Sequence, residues 1–302
     1  MQSEPQTGWE RSRRTHFNEI VATYDRVRPG YPVELFRDIL TYTEMQIGHP
    51  SRTSRVGTPE DHPTRTSRAG TPVGRTAIEI GAGTGKATKP FLEAGFTVTA
   101  VEINNNMADF LVERYGDYDG LSVVNTAFED TELLENSYDL VYAANSFHWV
   151  DPDISCPLVY RLLKSGGTFA LFRYNTIPAE GEDLYEEIQA AYTKHYYSYY
   201  TSGIRPKKLQ RETYWEAAEL IRGFRIDSLE NYGFCDIFRQ LYDVTRLFDA
   251  SEYIDYLETM SDHRALPKAN REALYDGIRE AIIRHGGYHK IDYLYQLYMG
   301  RK

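Results

Sequence analysis

The sequence has few cysteines and no long apolar run, and both absences narrow the class of protein. Cys156 and Cys235 are its two thiols, and no Cys-x-x-Cys pair occurs, which argues against a disulfide framework and a cysteine-bound zinc site. We therefore predict a protein without a metal in a reducing cytoplasm. Residues 1–14 are polar, and no run of about 18 apolar residues follows, so we expect neither a secretory signal nor a membrane span.

The sequence also has fewer basic than acidic residues. The chain carries 34 Lys and Arg against 44 Asp and Glu, a formal net charge of −10. An acidic protein repels a phosphate backbone, which argues against nucleic acid as a partner. We therefore expect a small-molecule partner, and the sequence gives no indication of an oligomeric state.

Two segments lack the apolar residues that a packed core needs. Residues 1–15 are polar, and residues 49–75 are rich in Ser, Thr, Pro, Gly and Arg. The second segment contains a direct repeat, in which Arg52–Pro59 recurs as Arg65–Pro72. Such composition cannot bury enough surface to fold. We predict a disordered tail over 1–15 and a disordered insertion over 49–75, within a single domain spanning 16–302.

Short apolar runs alternate with helical patterns through the middle of the chain. The predicted strands there are Ala77–Ile80, Thr97–Val101, Leu121–Val124, Asp139–Ala144 and Thr168–Phe172. This alternation is typical of a doubly wound, mostly parallel α/β sheet. Phe234–Val244 and Tyr288–Met299 would complete a seven-stranded sheet, and residues 176–230 are predicted to form an inserted helical lid. The lid is rich in tyrosines, such as Tyr192 and Tyr196, which either line a pocket or pack the lid onto the domain.

The segment Glu79 to Gly85 follows the first predicted strand and carries three alternating glycines, Gly81, Gly83 and Gly85. Glycines at such a turn let backbone N–H groups approach a ligand. Glu102 ends the next strand, 21 residues after Gly81, where a carboxylate can accept both ribose hydroxyls. The flanks of a Walker loop and the third glycine of a dinucleotide fingerprint are both misplaced, whereas the spacing fits a nucleoside-binding turn.

In these features the chain resembles the class I S-adenosylmethionine-dependent methyltransferases, in particular the type 11 and trans-aconitate methyltransferase-like group. The resemblance covers about half the chain. Its matching pieces are Tyr24–Pro32, Glu79–Gly85, Val101-Glu102, Phe128–Asp130, Asp139–Val141, Ser146–Trp149 and Leu163–Thr168.

Carried over position by position, the resemblance implies S-adenosylmethionine as cofactor and a set of residues that bind it. The set is Tyr24, Arg28, Tyr31, Glu79, Gly81, Gly83, Gly85, Glu102, Ile103, Phe128, Glu129, Asn145 and Trp149. Glu79 and the glycine backbone would hold the methionine amino end, and Glu102 the ribose. Arg28 would close over the cofactor and pair with its carboxylate. For Tyr31, packing between two prolines is an equal alternative.

The resemblance implies an enzyme that methylates a small molecule, and we expect transfer to an oxygen, either hydroxyl or carboxylate. His148 is the candidate proton acceptor, although His148 and Trp149 could instead be an architectural pair. Transfer to nitrogen or sulfur is the near alternative; a nucleotide-binding oxidoreductase and a non-catalytic cofactor-binding module are the distant ones. The segment around Tyr24 to Tyr31 is predicted to form a mobile cofactor gate in which Arg28 adds little to stability, or else a permanently docked helix and turn.

Overall fold

A computed structural model describes residues 20–45, 74–200, 205–214 and 226–302. Its centre is a seven-stranded sheet with the order β3-β2-β1-β4-β5-β7-β6. The strands are β1 (Arg75–Ile80), β2 (Phe96–Val101), β3 (Leu121–Val124), β4 (Tyr138–Ala144), β5 (Leu163–Ile177), β6 (Cys235–Asp249) and β7 (Tyr288–Arg301). All pairings among β1 to β5 are parallel, and β7 runs antiparallel to both β5 and β6. The predicted doubly wound, mostly parallel sheet is therefore confirmed.

Helices follow most of the strands. They are α1 (Val21–Val27), α2 (Val33–Glu44), α3 (Thr88–Glu93), α4 (Asn105–Tyr115), α5 (Pro152–Leu162), α6 (Asp183–His195), α7 (Ala250–Glu258), α8 (Ser261–Arg264) and α9 (Lys268–Arg284). Local chemistry sets several of their starts. The Asp151 and Asp249 side chains accept hydrogen bonds from Asp153 and Glu252 N–H groups at the first turns of α5 and α7, as N-cap residues do.

Alternation along the strands divides the apolar residues between the two faces of the sheet. On β1, Ile78 and Ile80 join the cluster that contains α5, whereas Ala77 joins the cluster that contains α2, α4 and α9. The helical faces follow the same logic, because Leu274, Ile278 and other residues spaced by three or four along α9 are buried. The core therefore lies in two layers, one on each side of the sheet.

The predicted tail over 1–15 lies outside the described residues, as does the predicted insertion over 49–75 apart from Gly74 and Arg75, where β1 begins. Part of the predicted lid, 201–204 and 215–225, also lies outside them. The described part of the lid contains α6 and two short 3-10 helices, Arg211–Thr213 and Ile226–Tyr232.

The lid tyrosines pack the lid onto the domain. Tyr192 Oη lies 2.9 Å from His263 Nε2, and Tyr196 Oη donates to Asp262 Oδ2 at 2.5 Å. Tyr200 Oη donates to the Asp262 carbonyl at 2.8 Å. These contacts hold α6 against α8, which is the packing alternative of the two that the sequence left open.

Strand order changes direction between β1 and β4, since β2 and β3 lie on one side of β1 while β4 and β5 lie on the other. In open α/β sheets, ligands bind beyond the carboxyl ends of the strands at such a switch point. The loops that leave β1, β2, β4 and β5 are therefore the place to look for a site.

Candidate active site

A cavity of about 930 Å³, counted with the part open to solvent, lies at this switch point. Most of the predicted cofactor-binding residues line it: Tyr24, Arg28, Tyr31, Glu79, Gly81, Gly83, Glu102, Ile103, Phe128, Asn145 and Trp149. The fold thus brings together residues that are distant in sequence.

The glycine turn after β1 is fastened to the end of β2. The N–H groups of Gly81 and Ala82 donate to the Val101 carbonyl at 2.8 and 3.1 Å. Gly81 and Gly83 have φ angles of +68° and +58°, a region that favours glycine. A Cβ on Gly81 would lie 2.7 Å from Ser146 Cβ, whereas one on Gly83 would meet nothing within 4 Å. The absence of a side chain at Gly83 therefore leaves space in the cavity beside the turn.

Glu102 is fixed at the end of β2 by three donors. Its Oε2 accepts from the Gly83 N–H at 2.7 Å, and its Oε1 accepts from the Asn104 N–H at 2.8 Å and from Asn104 Nδ2 at 2.7 Å. Burial raises the pKa of this carboxyl above its usual range. The donors orient the carboxylate in the cavity wall, next to the glycine turn.

Glu79 is the second buried carboxyl of the cavity and has only 1% of its surface exposed. Its Oε2 accepts from the Thr88 hydroxyl and, at 3.0 Å, from the Tyr142 hydroxyl. Its Oε1 is buried and has no hydrogen-bond partner among the described residues. Burial raises the pKa of Glu79 to about 8. Glu79 Oε1 is therefore available to a hydrogen-bond donor of a ligand.

The opposite wall comes from the segment before α2. Arg28 Nη2 donates to the Thr259 carbonyl at 2.8 Å and Nη1 to Tyr174 Oη at 3.3 Å. The guanidinium lies 5.2 Å from the ring centres of both Tyr24 and Tyr256. Arg28 Nε is buried without a partner. Arg28 is thus a half-buried cation whose described hydrogen-bond partners are all neutral oxygens.

The segment that holds Arg28 is docked in this structure. Arg246 Nη1 donates to the Val27 carbonyl at 2.6 Å, and Tyr295 Oη donates to the Gly30 carbonyl at 2.6 Å. Lys86 Nζ donates to the Asp25 carbonyl at 2.5 Å. These contacts favour the permanently docked alternative, in which Arg28 bridges two distant parts of the fold, and the mobile gate stays a prediction.

Arg28→Ala is expected to lower the free energy of unfolding by about 1.5–3 kcal/mol, the usual contribution of hydrogen bonds from a charged group. Arg26→Ala, near the end of α1 and two residues before Arg28, is the matched control, since its ion pair with Asp255 at 2.6 Å is exposed and exposed pairs contribute little to stability. Thermal and denaturant melts of both variants test this. Equal losses in the two variants would show that Arg28 is not an anchor.

The apolar end of the cavity lies beyond β2 and β3. Ile103 and Phe128 line it together with Met107, Ala127 and Val150. Phe128 is buried at the start of a 3-10 helix, Phe128–Asp130. Glu129 follows it on this helix, is half-buried, and is not a lining residue.

The end of β4 supplies Asn145 and Trp149. Asn145 has a φ of +55°, and its N–H donates to the Phe172 carbonyl of β5 at 2.7 Å. His148 lies in the 3-10 helix Phe147–Trp149, with its ring centre 5.1 Å from that of Trp149. His148 is half-buried and is not a lining residue, so its predicted role as proton acceptor stays a prediction.

Gly85 is the third predicted residue that does not line the cavity. Its φ is +82°, and a Cβ there would lie 2.5 Å from the Tyr115 ring and 2.7 Å from Leu111 Cδ2. The absence of a side chain at Gly85 thus permits close packing of the glycine turn on α4. Its predicted role in cofactor binding stays a prediction.

Several lining residues were not predicted, among them Thr84, Lys86, Asn104, Thr126, Ser146 and Tyr174. Asn104 had a usable signal, since it lies two residues after Glu102 in the same turn. Tyr174 had none, because it reaches the cavity only when β5 extends beyond Phe172. Among the described residues, no cluster of His, Cys, Asp and Glu could hold a metal ion. None of the helices in the described ranges is long and apolar enough to span a membrane.

A family model described as a methyltransferase domain matches residues 78–171, from β1 to β5. An uncharacterized methyltransferase of Mycobacterium tuberculosis is 32% identical over 155 residues, which are 51% of this chain and 50% of that protein. The chain thus spans about half the length of this relative. An uncharacterized methyltransferase of Schizosaccharomyces pombe is 24% identical over 272 residues, 88% of this chain and 86% of that protein.

The fold has a counterpart among solved structures. A candidate type II methyltransferase from Anaeromyxobacter dehalogenans superimposes with a TM-score of 0.57 at 19% identity, over 91% of this chain and 97% of the other. At that identity the likeness concerns the fold alone. Residues 78–171 therefore match a methyltransferase domain, and the chain has the α/β fold of the methyltransferase on which it superimposes, which confirms the resemblance to methyltransferases seen in the sequence.

Proposed function

We propose that the chain binds S-adenosylmethionine and transfers its methyl group to a small-molecule acceptor, at an oxygen. One observation carries the proposal. The carboxyl ends of the paired strands β1 and β2 place two buried carboxyls, Glu79 and Glu102, in one cavity under a glycine turn. Such a pair suits a ligand with an ammonium group at one end and a ribose at the other.

The residues present fit this cofactor on three counts. Glu79 Oε1 is a buried acceptor without a partner, and Arg28 Nε is a buried donor without one. They complement an ammonium and a carboxylate respectively. Gly83 leaves open space where a side chain would stand. In the proposed arrangement Glu102 accepts the ribose hydroxyls, and the apolar end around Ile103 and Phe128 takes the adenine.

Bound S-adenosylmethionine would supply a methyl group already activated by a sulfonium. The chain's own residues then have to align the acceptor and exclude water. Tyr24, Tyr31 and Tyr174 also line the cavity, and their rings and hydroxyls can hold a small oxygen-bearing acceptor. Asn145 would face the methionine portion of the cofactor, with Trp149 beside it. His148 would take the proton of a hydroxyl acceptor, and a carboxylate acceptor would not need it.

A cytoplasmic location is part of the same proposal. Cys156 and Cys235 are both free thiols, which agrees with a reducing compartment.

A methyl-labelled cofactor tests the function directly. The protein and the labelled cofactor are incubated with the small-molecule fraction of a cell extract, and labelled products are identified by mass spectrometry. We expect a labelled methyl ether or methyl ester. A labelled amine or thioether would move the proposal to nitrogen or sulfur. Cofactor binding without any labelled product would favour a binding module.

Glu102→Ala is expected to weaken the binding of S-adenosylhomocysteine by about 1.5–3 kcal/mol, because charge-assisted hydrogen bonds to the ribose are lost. Glu113→Gln on the exposed face of α4 removes the same charge away from the cavity and is the matched control. Calorimetry compares the two affinities, and a thermal melt confirms that the variants are folded. Unchanged affinity in folded Glu102→Ala would remove the ribose assignment.

A further inference from the structure

Glu79 is the most deeply buried carboxyl of the cavity, and its two oxygens have different surroundings. Oε2 accepts from two hydroxyl groups, those of Thr88 on α3 and Tyr142 on β4. Oε1 is buried without a partner. A carboxylate in such a place has lost water on both oxygens and has recovered hydrogen bonds on only one of them. That balance disfavours the charged form.

Among the described residues, no neighbouring cation stabilises the charged form of Glu79. The groups that face Glu79 are the neutral hydroxyls of Thr88 and Tyr142, the carboxyl of Glu102 from β2, and Tyr31 from the segment before α2. A second carboxyl disfavours charge on the first. Among the described residues, none forms an ion pair with Glu79.

The two cations that line the same cavity are engaged elsewhere. Arg28 directs Nη1 and Nη2 to Tyr174 and Thr259. Lys86 Nζ donates to the Asp25 carbonyl and lies 3.7 Å from the Asp25 carboxylate. Burial accordingly raises the pKa of Glu79 to about 8. A group with that pKa holds its proton at neutral pH.

We propose that Glu79 is a neutral carboxylic acid in the ligand-free protein and that it selects ammonium-bearing ligands by giving up its proton when the ammonium binds. The inference rests on the proposed function and extends it. In the exchange, the Glu79 carboxyl proton passes to the buffer, and the ligand ammonium donates a hydrogen bond to the resulting carboxylate. No covalent bond to carbon forms or breaks, and the ligand keeps all of its ammonium protons.

The direction of the pH dependence follows from the protonation state of Glu79 that binds the ligand. The ionised carboxylate pairs with the ammonium, and this form becomes scarce below pH 8. The affinity for an ammonium-bearing ligand should therefore fall about tenfold for each pH unit below the Glu79 pKa. A ligand without the ammonium should show no such dependence from Glu79.

Calorimetry measures the proton directly. S-adenosylhomocysteine is titrated into the protein at pH 7 in phosphate and in Tris, whose ionisation enthalpies differ, and the difference in heat gives the number of protons released. We expect roughly 0.9 proton per ligand at pH 7 and nearly one at pH 6, where the amino group of the ligand remains an ammonium. The matched ligand is 5′-methylthioadenosine, which keeps the adenine and ribose but lacks the amino acid portion. It should bind without releasing a proton.

The variant Glu79→Gln has nearly the same shape and no titratable proton. It should release no proton with S-adenosylhomocysteine, and its affinity should not vary between pH 6 and 8. If that variant does not fold, the comparison of the two ligands on the unaltered protein still tests whether proton release depends on the ammonium group of the ligand.

Three outcomes would overturn the inference. Binding of S-adenosylhomocysteine with no proton release would mean that Glu79 is already ionised, while the proposed function stands. Equal proton release with both ligands would place the proton on another group, Glu102 being the nearest carboxyl. Failure of both ligands to bind would reject the proposed function and the inference together.

Discussion

Gly85→Ala is expected to be the most destabilising change in the glycine turn, with a loss of about 2–5 kcal/mol in the free energy of unfolding. Two costs add up. The φ of +82° is unfavourable for alanine by about 1–2 kcal/mol. The new Cβ would also lie 2.5 Å from the Tyr115 ring and 2.7 Å from Leu111 Cδ2, and overpacking of this kind costs about 1–3 kcal/mol.

The neighbours of Gly85 have no room to retreat. Leu111 is fully buried and Tyr115 is 7% exposed, and both belong to the core layer that α4 forms with the sheet. Either the turn or the helix must move. A total stability of about 5–15 kcal/mol is typical of folded domains, so this single methyl group would remove a large share of it.

Gly95→Ala is the matched control for Gly85→Ala. Gly95 has nearly the same φ, +81°, and a Cβ there would meet nothing within 4 Å. Denaturant melts of the two variants separate backbone strain, which they share, from the clash with α4, which only Gly85→Ala has. If the two midpoints shift equally, the close packing of the turn on α4 contributes nothing.

Most of the secondary structure followed from local patterns in the sequence. The short apolar run Leu121–Val124 is β3 without change of bounds, and Asp139–Ala144 is β4 without its first residue. The strand β4 could be predicted because its residues Leu140 to Ala143 are buried in a row, which leaves a continuous apolar run. The prediction was least complete for β5, which was expected over Thr168–Phe172 and extends over Leu163–Ile177.

The reason for the longer β5 is tertiary. Beyond Phe172 the strand continues through residues 173–177, where Arg and Asn interrupt the apolar run that marks the strand before them. They stay extended because they pair with β7, where Arg173 lies opposite Gln296 and Asn175 opposite Leu294. The sequence of β5 alone contains no trace of that partner.

The same contrast between local patterns and long-range contacts applies to the candidate site. Glu79, Gly83 and Glu102 could be predicted because their spacing within one strand-turn-helix unit is a local pattern. The docking of Arg28 could not, since its partner Thr259 is 231 residues away in the chain. Gly85 shows a third situation, in which the pattern was recognised and the structure assigns the glycine a packing role instead of a place in the cavity wall.

Gly83→Ala is expected to do the reverse of Gly85→Ala and to weaken ligand binding strongly while leaving the fold in place. Gly83 lines the cavity, its φ is +58°, and a Cβ there would meet no protein atom within 4 Å. The strain should therefore cost only about 1–2 kcal/mol of stability. Its N–H donates to Glu102 Oε2 at 2.7 Å, so the added methyl group would stand beside the proposed ribose site.

A ligand that lies against this turn would have to shift by about the radius of a methyl group. A misplacement of about 1 Å can cost on the order of a hundredfold in rate, and we expect a loss of similar size in S-adenosylhomocysteine affinity, measured by calorimetry. Gly95→Ala again supplies the strain without the obstruction and should bind normally. Normal binding by folded Gly83→Ala would mean that the ligand does not pass over the turn, and the cofactor would then have to be placed elsewhere in the cavity. Gly83 and Gly85 are two residues apart and both have positive φ angles. If Gly83→Ala impairs ligand binding and Gly85→Ala impairs stability, the role of each glycine depends on whether it faces the cavity or α4.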